Sequence, residues 1–142
     1  MSQRKKILEI AASQIGVAAP TGDDKYIEWY NQQTGAGFNL NVPWCAIFVS
    51  WCAAQAGVES YPLTASCTQG MNWFKARGQW KERGGYIPRP GDFIYFDWDG
   101  SGDADHIGIV ESCDGNIVYT IEGNSADAVR RRSYALTDTR IR

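Results

Sequence analysis

The stretch that decides the fold runs from Trp44 to Ala56 and reads WCAIFVSWCAAQA. Apolar residues occupy nearly every position, so a helix over this stretch has no polar face and must be buried on most sides. Gly57, which follows it, is a favourable residue for ending a helix. The stretch therefore predicts a central helix, with Cys45 in its first turn directly after Pro43-Trp44.

Weaker helical patterns lie on both sides of this stretch. Apolar residues at helical spacing predict helices over residues 6–14, from Asp23 or Asp24 to about Gln33, and over residues 68–76. Beyond Pro90-Gly91 the pattern predicts strands over residues 92–98, 106–112, 117–122 and 129–134. We expect an α+β fold in which N-terminal helices pack on a C-terminal antiparallel sheet, with residues 1–142 forming one domain.

Charge and hydropathy exclude two classes of partner. The formal net charge is −2, and the basic residues are scattered apart from two short runs, at residues 4–6 and 130–132, so there is no broad surface for nucleic-acid phosphates. No apolar run approaches the ~20 residues of a membrane span, and the basic N-terminus does not lead into a signal-peptide core. We expect no nucleic-acid partner, no membrane insertion, and synthesis in the cytoplasm without a signal peptide.

The chain has four cysteines, which differ in their positions. Cys45 and Cys52 lie about 10 Å apart along a helix axis, too far to bond to each other. There is no CxxC pair and no nearby histidine to suggest zinc. We interpret Cys52, Cys67 and Cys113 as reduced thiols that pack as small hydrophobic groups.

Cys45 and the only histidine, His106, suggest a thiol hydrolase. Unpaired amides and the helix dipole at a helix start favour an anion, which lowers a thiol pKa and favours the attacking thiolate. His106 opens a strand-like run, HIGIV, in which Gly108 leaves space on the face of the histidine. The pair predicts acyl transfer by a cysteine nucleophile with an imidazole as the base.

Glu122 and Asn124 on the next predicted strand could each accept the proton of the second imidazole nitrogen of His106. Successive side chains of a strand point to opposite faces, so the turn between the two strands decides whether these residues face the histidine. A two-residue loop, Asp114-Gly115, would pair Cys113 with Asn116 and hence His106 with Gly123, and it would place Glu122 on the opposite face.

A three-residue loop gives the other parity. It pairs Gly108 with Glu122 and His106 with Asn124, all on one face of the sheet. We therefore predict a three-residue or bulged turn at residues 114–116, which the glycine at position 115 can supply.

Four motifs in this order resemble one protein family: Pro43-Trp44-Cys45-Ala46, Pro90-Gly91-Asp92, Asp105-His106-Ile107-Gly108-Ile109-Val110 and Ile121-Glu122-Gly123-Asn124. The chain resembles the CHAP family, the cysteine- and histidine-dependent amidohydrolases and peptidases of the papain-like superfamily, over about residues 7–134. The resemblance implies that Cys45 is the nucleophile, His106 the base and Glu122 its orienting partner, with Asn124 as a further polar member. The implied substrate is bacterial peptidoglycan.

The metal site of some CHAP enzymes is not expected here. Those enzymes carry an aspartate-rich calcium loop just before the cysteine, whereas Asn39 and Asn41 are the only polar side chains of residues 38–44. The acidic run Asp97–Asp105 resembles the start of an EF-hand loop, but its twelfth position is Gly108 rather than glutamate. We interpret this run as a hydrophilic loop, with calcium binding as the less favoured alternative, and predict no metal and no cofactor.

Two tryptophans are adjacent to the proposed chemistry. Trp44 and Trp98 offer flat apolar surfaces that could line a groove for an extended glycopeptide, and we predict both as substrate-binding residues.

The leading hypothesis is a phage or prophage lysin that cuts an amide of the stem peptide, either as an N-acetylmuramoyl-L-alanine amidase or as an endopeptidase. It would act on the wall after release from the cytoplasm, with a separate wall-binding domain or subunit as a possible partner. The alternatives are a papain-like amidase on a small soluble substrate and a catalytically idle wall-binding module.

Overall fold

The computed structural model describes residues 2–142, which form four helices followed by a four-stranded antiparallel sheet. The helices are α1 (Gln3–Ser13), α2 (Asp24–Thr34), α3 (Cys45–Gln55) and α4 (Cys67–Ala76). The strands are β1 (Phe93–Phe96), β2 (His106–Cys113), β3 (Ile117–Ser125) and β4 (Ala128–Ala135), and their order in the sheet is β1-β2-β3-β4. The predicted α+β order is confirmed, and each predicted element is present with shifts of a few residues at its ends.

Helix α3 is the centre of the fold, as its composition predicts. Eight of its eleven residues are buried, and it contacts α1, α2, β2 and β3. Gly57, with a φ of 76°, takes the left-handed conformation just beyond the helix. Although α3 is the most apolar helix, no helix within residues 2–142 has the length and apolar character needed to cross a bilayer.

The two faces of the sheet contribute to two apolar clusters. Ile107, Ile109 and Ile121 pack with the helices in the larger cluster. The smaller cluster lies on the opposite face and contains Ile94, Phe96, Val110, Val118 and Ile141. His106 and Glu122 alternate with the isoleucines along their strands, so they belong to the face of the smaller cluster.

Gly123 allows β3 to approach α3 closely. A Cβ atom at this position would lie 2.6 Å from the Cβ of Phe48 on α3, a separation that packed side chains do not tolerate. The glycine therefore brings the strand that carries Glu122 against the helix that begins with Cys45.

The β2–β3 hairpin reaches the required register by a route that differs from the predicted one. At its tip, the Asp114 amide donates to the Ile117 carbonyl at 3.2 Å, which leaves a two-residue connection, Gly115-Asn116. The Asp114 carboxylate accepts the amides of both Asn116 and Ile117 and holds this turn. The prediction of a three-residue or bulged turn at residues 114–116 is therefore wrong.

The extra residue lies inside β2 instead, at Glu111. Cys113 pairs with Val118 near the tip, but beyond a bulge between Val110 and Ser112 the pairing becomes Ile109 with Ile121. The one-residue shift changes the parity, so continuation of the ladder sets Gly108 opposite Glu122. The register on which the predicted site depends is confirmed, and a bulge rather than the turn produces it.

We predict that Gly108→Ala destabilises the protein by about 1–3 kcal/mol, because overpacking of a buried site costs that much. The added Cβ would lie 2.8 Å from the Glu122 Cγ atom, and a displaced carboxylate would also lower the pKa of His106. Urea denaturation measures the first effect, and an NMR titration of the single histidine measures the second. Gly37→Ala is the matched control, because an added Cβ there meets nothing within 4 Å; equal results for the two variants would contradict the prediction.

Candidate active site

Cys45 is the first residue of α3 and its side chain is buried, with 6% of the residue exposed. Trp44 occupies the N-cap position without a side-chain hydrogen bond to the helix, so the amides of the first turn have no side-chain cap. These amides and the positive end of the helix dipole favour a negative charge on the Cys45 sulfur.

His106 and Glu122 form a direct pair. The Nε2 atom of His106 lies 2.7 Å from the Oε1 atom of Glu122, which leaves Nδ1 as the ring nitrogen available to Cys45. Glu122 is only 1% exposed and His106 is also buried. His106 on β2 is thus paired with Glu122 on β3, and the His106 ring also interacts with Cys45 at the start of α3.

The second oxygen of Glu122 is held by two residues that the sequence analysis missed. Oε2 accepts hydrogen bonds from the hydroxyl of Thr120 and, at 2.7 Å, from the hydroxyl of Tyr134. Thr120 lies two residues before Glu122 on β3, so strand alternation alone could have identified it. Tyr134 is on β4 and could be found only from the β3–β4 register, in which it pairs with Val118.

Cys67 is the third residue that the sequence analysis missed. Its sulfur lies 3.6 Å from the sulfur of Cys45, and both side chains are buried. Cys67 is a free thiol that packs in the larger apolar cluster, as the sequence analysis predicts. The structure also places Cys67 within hydrogen-bonding distance of Cys45, the candidate nucleophile. The two cysteines lie on different helices, so no local sequence pattern predicts the contact.

Asn124, the other candidate partner of His106, makes no hydrogen bond to the imidazole ring within residues 2–142. It lies at an irregularity of β3 between Glu122 and Ser125 and has a φ of 56°. Within residues 2–142 its side chain makes no hydrogen bond, and Nε2 of His106 is already occupied by Glu122. Of the two candidate partners, Glu122 is the one that contacts His106.

The two predicted substrate tryptophans lie in different environments. Trp44 is 2% exposed and stacks on Tyr26 with ring centroids 5.6 Å apart, so it is a core residue and cannot line an open groove. Its predicted substrate contact is wrong in this structure, because the residue before a buried helix follows that helix into the core. Trp98 is 40% exposed and stacks against the His106 ring at 5.9 Å.

Comparison with protein-family models identifies the chain. The CHAP domain model matches residues 36–124, more than half of the sequence. The chain belongs to the CHAP family. The predicted papain-like CHAP fold is confirmed.

A structural comparison agrees with the fold of this CHAP domain. The crystal structure of Ly7917 matches with a TM-score of 0.50 and 17% sequence identity, over 98% of this chain and 59% of that chain. At this identity the likeness concerns the fold alone, and the chain spans 59% of the length of Ly7917. No curated protein matches the sequence.

The acidic run of this CHAP domain forms a loop organised by its own carboxylates. Ligand oxygens of Asp97, Asp99 and Asp105 lie within 4.8 Å of one another. Asp97 accepts the amides of Ser101 and Gly102, and Asp105 accepts those of Trp98 and Asp99. These backbone hydrogen bonds account for the clustering, which agrees with the interpretation of the run as a hydrophilic loop, and we assign no metal to it.

Electrostatic interactions favour the charged forms of both reactive groups. The pKa of the Cys45 thiol is lowered well below its ordinary value: the hydrogen bond to Cys67 contributes most, burial opposes it, and His106 lowers the pKa further. Burial also opposes the charged form of His106, but its interactions with Cys45 and Glu122 outweigh burial and raise its pKa to about 9. These interactions favour the thiolate–imidazolium form of the pair.

We predict a bell-shaped pH dependence of hydrolysis with an alkaline limb near pH 9, where His106 loses the proton that it gives to the leaving group. Glu122→Gln should move that limb down by about one to two pH units, because a neutral partner no longer stabilises the imidazolium. The measurement is the initial rate of sacculus clearing between about pH 5 and pH 10.

Glu111→Gln is the control for this experiment, because Glu111 is a carboxylate on β2 that pairs with Arg131 rather than with the histidine. Its alkaline limb should coincide with that of the wild type. An unchanged limb in Glu122→Gln would show that the carboxylate does not tune His106.

Proposed function

We propose that this CHAP domain is a cysteine-dependent peptidoglycan hydrolase that cleaves an amide bond of the stem peptide. The observation that carries the proposal is the arrangement of Cys45, His106 and Glu122, in which Nε2 of His106 lies 2.7 Å from the buried carboxylate. A binding-only module would have no use for a thiol whose pKa is lowered or for a carboxylate buried behind the histidine. The arrangement therefore favours an active enzyme over an idle wall-binding module.

The reaction follows from the protonation states. The Cys45 thiolate attacks the amide carbonyl carbon, and amides at the start of α3 stabilise the oxyanion that forms. His106 donates its proton to the leaving nitrogen as the C–N bond breaks, which yields a free amine and a thioester on Cys45. His106 then takes a proton from water, hydroxide attacks the thioester, and the carboxylic acid product leaves as the thiolate is restored.

Trp98 is the residue best placed to contact the substrate. It packs on Phe96 with ring centroids 4.8 Å apart and lies beside His106, yet it remains 40% exposed. An exposed indole next to the reacting groups can bind the apolar face of a glycopeptide. The core position of Trp44 leaves Trp98 as the groove wall in this proposal.

The bond that is cleaved is either the N-acetylmuramoyl–L-alanine amide or a peptide bond of the stem or cross-bridge. Both cuts use the same acyl transfer, and they differ only in how the groove places the scissile carbonyl. We propose a lysin of phage or prophage type that acts after release from the cytoplasm, together with a separate wall-binding domain or subunit.

Digestion of purified sacculi tests this proposal. Wild-type protein should release soluble fragments, and Cys45→Ala should reduce the rate to background because the attacking atom is gone. Cys52→Ala is the matched control, since Cys52 is a buried thiol of the same helix away from the site; it should keep the wild-type activity per folded molecule. Wild-type rates of clearing by Cys45→Ala would refute the cysteine mechanism.

Mass spectrometry of the same digests identifies the bond. A new N-terminal alanine would establish an amidase, and other new termini would establish an endopeptidase. Hydrolysis of small soluble amides without any release from sacculi would instead support the papain-like amidase alternative.

We predict that Trp98→Ala raises the substrate concentration required for half-maximal clearing by about 5- to 30-fold, as the loss of one to two kcal/mol of apolar contact implies. The alkylation rate of Cys45 by iodoacetamide at pH 7 should remain near that of the wild type, because the thiolate–imidazolium pair is intact. Trp73→Ala is the control, since Trp73 packs on Phe74 of the same helix instead of on His106. Equal effects of both substitutions would argue against a substrate contact.

A further inference from the structure

Two helix starts converge in the active site, and each contributes a cysteine. Cys45 is the first residue of α3 and Cys67 is the first residue of α4. Their sulfur atoms lie 3.6 Å apart, within hydrogen-bonding distance for sulfur. Cys67 is 7% exposed, so this contact is shielded from solvent.

The surroundings of the two sulfurs decide which of them carries the proton. Cys45 interacts with the His106 ring and with the amide of Ala46, both of which stabilise a thiolate. Cys67 lies against the negative charges of Cys45 and Asp105, and its hydrogen bond to Cys45, its burial and these charges raise its pKa. The lowered pKa of Cys45 and the raised pKa of Cys67 favour the arrangement in which the Cys67 S–H donates to the Cys45 sulfur.

The position of Cys67 is fixed by contacts on both sides of it in the sequence. Ser66 caps α4 by accepting the amide of Gln69. The hydroxyl of Thr68 contacts both the carbonyl and the amide of Ala104, at 3.3 and 3.2 Å. The start of α4 is thus tied to the segment that leads into His106, which keeps the Cys67 thiol in place relative to the imidazole.

We propose that Cys67 is a positioning residue of the nucleophile, whose S–H group donates a hydrogen bond to the Cys45 thiolate and holds the sulfur between α4 and the His106 ring. This inference rests on the proposed function, in which that thiolate attacks the substrate. A thiol is a weak donor, so it stabilises the anion while leaving more of its nucleophilicity than a stronger donor would, since nucleophilicity falls as the thiol pKa falls.

The test is the pH dependence of Cys45 alkylation by iodoacetamide in the full chain, measured without substrate and assigned by mass spectrometry of the modified peptide. Cys67→Ala removes the donor and should move the acid limb up by on the order of one pH unit, so that alkylation on that limb slows about tenfold. Cys67→Ser keeps a donor and should hold the limb at or below the wild-type position. Cys52→Ala, a buried thiol lost elsewhere on α3, should leave the limb unchanged.

Two results would overturn the proposal. One is an unchanged limb in Cys67→Ala. The other is an upward shift of similar size in Cys67→Ser, which would assign the effect to packing instead of to a hydrogen bond. If Cys67→Ala does not fold, Cys67→Ser alone still decides, because an upward shift of its limb contradicts a role as donor.

The outcome is separable from that of the proposed function. A shifted limb together with no release from sacculi would refute the wall substrate and leave the role of Cys67 intact. Normal sacculus digestion with an unchanged limb would refute the role of Cys67 and leave the proposed function intact.

Discussion

The site depends on a buried negative charge, the carboxylate of Glu122. A carboxylate removed from water loses several kcal/mol of hydration unless partners replace the lost hydrogen bonds. Here His106 binds one oxygen, and the hydroxyls of Thr120 and Tyr134 bind the other. These partners surround the carboxylate only when β2, β3 and β4 are paired in this register. The sheet therefore favours the charged form of His106, and the charged pair in turn favours this register.

The reactive pair depends in turn on that charge. The carboxylate stabilises the imidazolium, and the imidazolium lowers the pKa of the Cys45 thiol across the boundary between sheet and helices. A negative charge, a positive charge and a second negative charge thus alternate through the site. The two negative charges lie on different layers of the fold, Glu122 on the sheet and Cys45 on a helix. The packing of the helices on the sheet therefore determines the electrostatics of the site.

Much of this arrangement could be predicted from the sequence because it rests on local patterns. The apolar run at residues 44–56 specifies a buried helix, and its first residue is then at a helix start whatever the rest of the chain does. The single histidine leaves one choice of base. Side chains alternate between the two faces of a strand. The sequence could therefore identify Glu122 as a partner of His106 and also the strand register that places both on one face.

The features that the sequence did not reveal are contacts between distant elements. A bulge at Glu111 and a longer turn give the same parity downstream, and single-strand alternation cannot distinguish them. Trp44 is predicted to bind substrate because it neighbours Cys45, but its ring is buried and stacks on Tyr26 of another helix. Cys67 meets Cys45 only because two helix starts converge, and composition offered no reason to connect them.

The bulge at Glu111 also divides the β2–β3 hairpin into two stretches that have different pairing registers. On the side of the site, the pairing of Ile109 with Ile121 is fixed by their burial against the helices. On the side of the tip, the turn at Gly115-Asn116 is solvent-exposed, and it is held by the Asp114 carboxylate and by a hydrogen bond from the Leu136 amide to the Asn116 carbonyl. The tip is therefore the part of the hairpin where an inserted peptide would least affect the strand register at the site, because the buried pairs lie on the other side of the bulge.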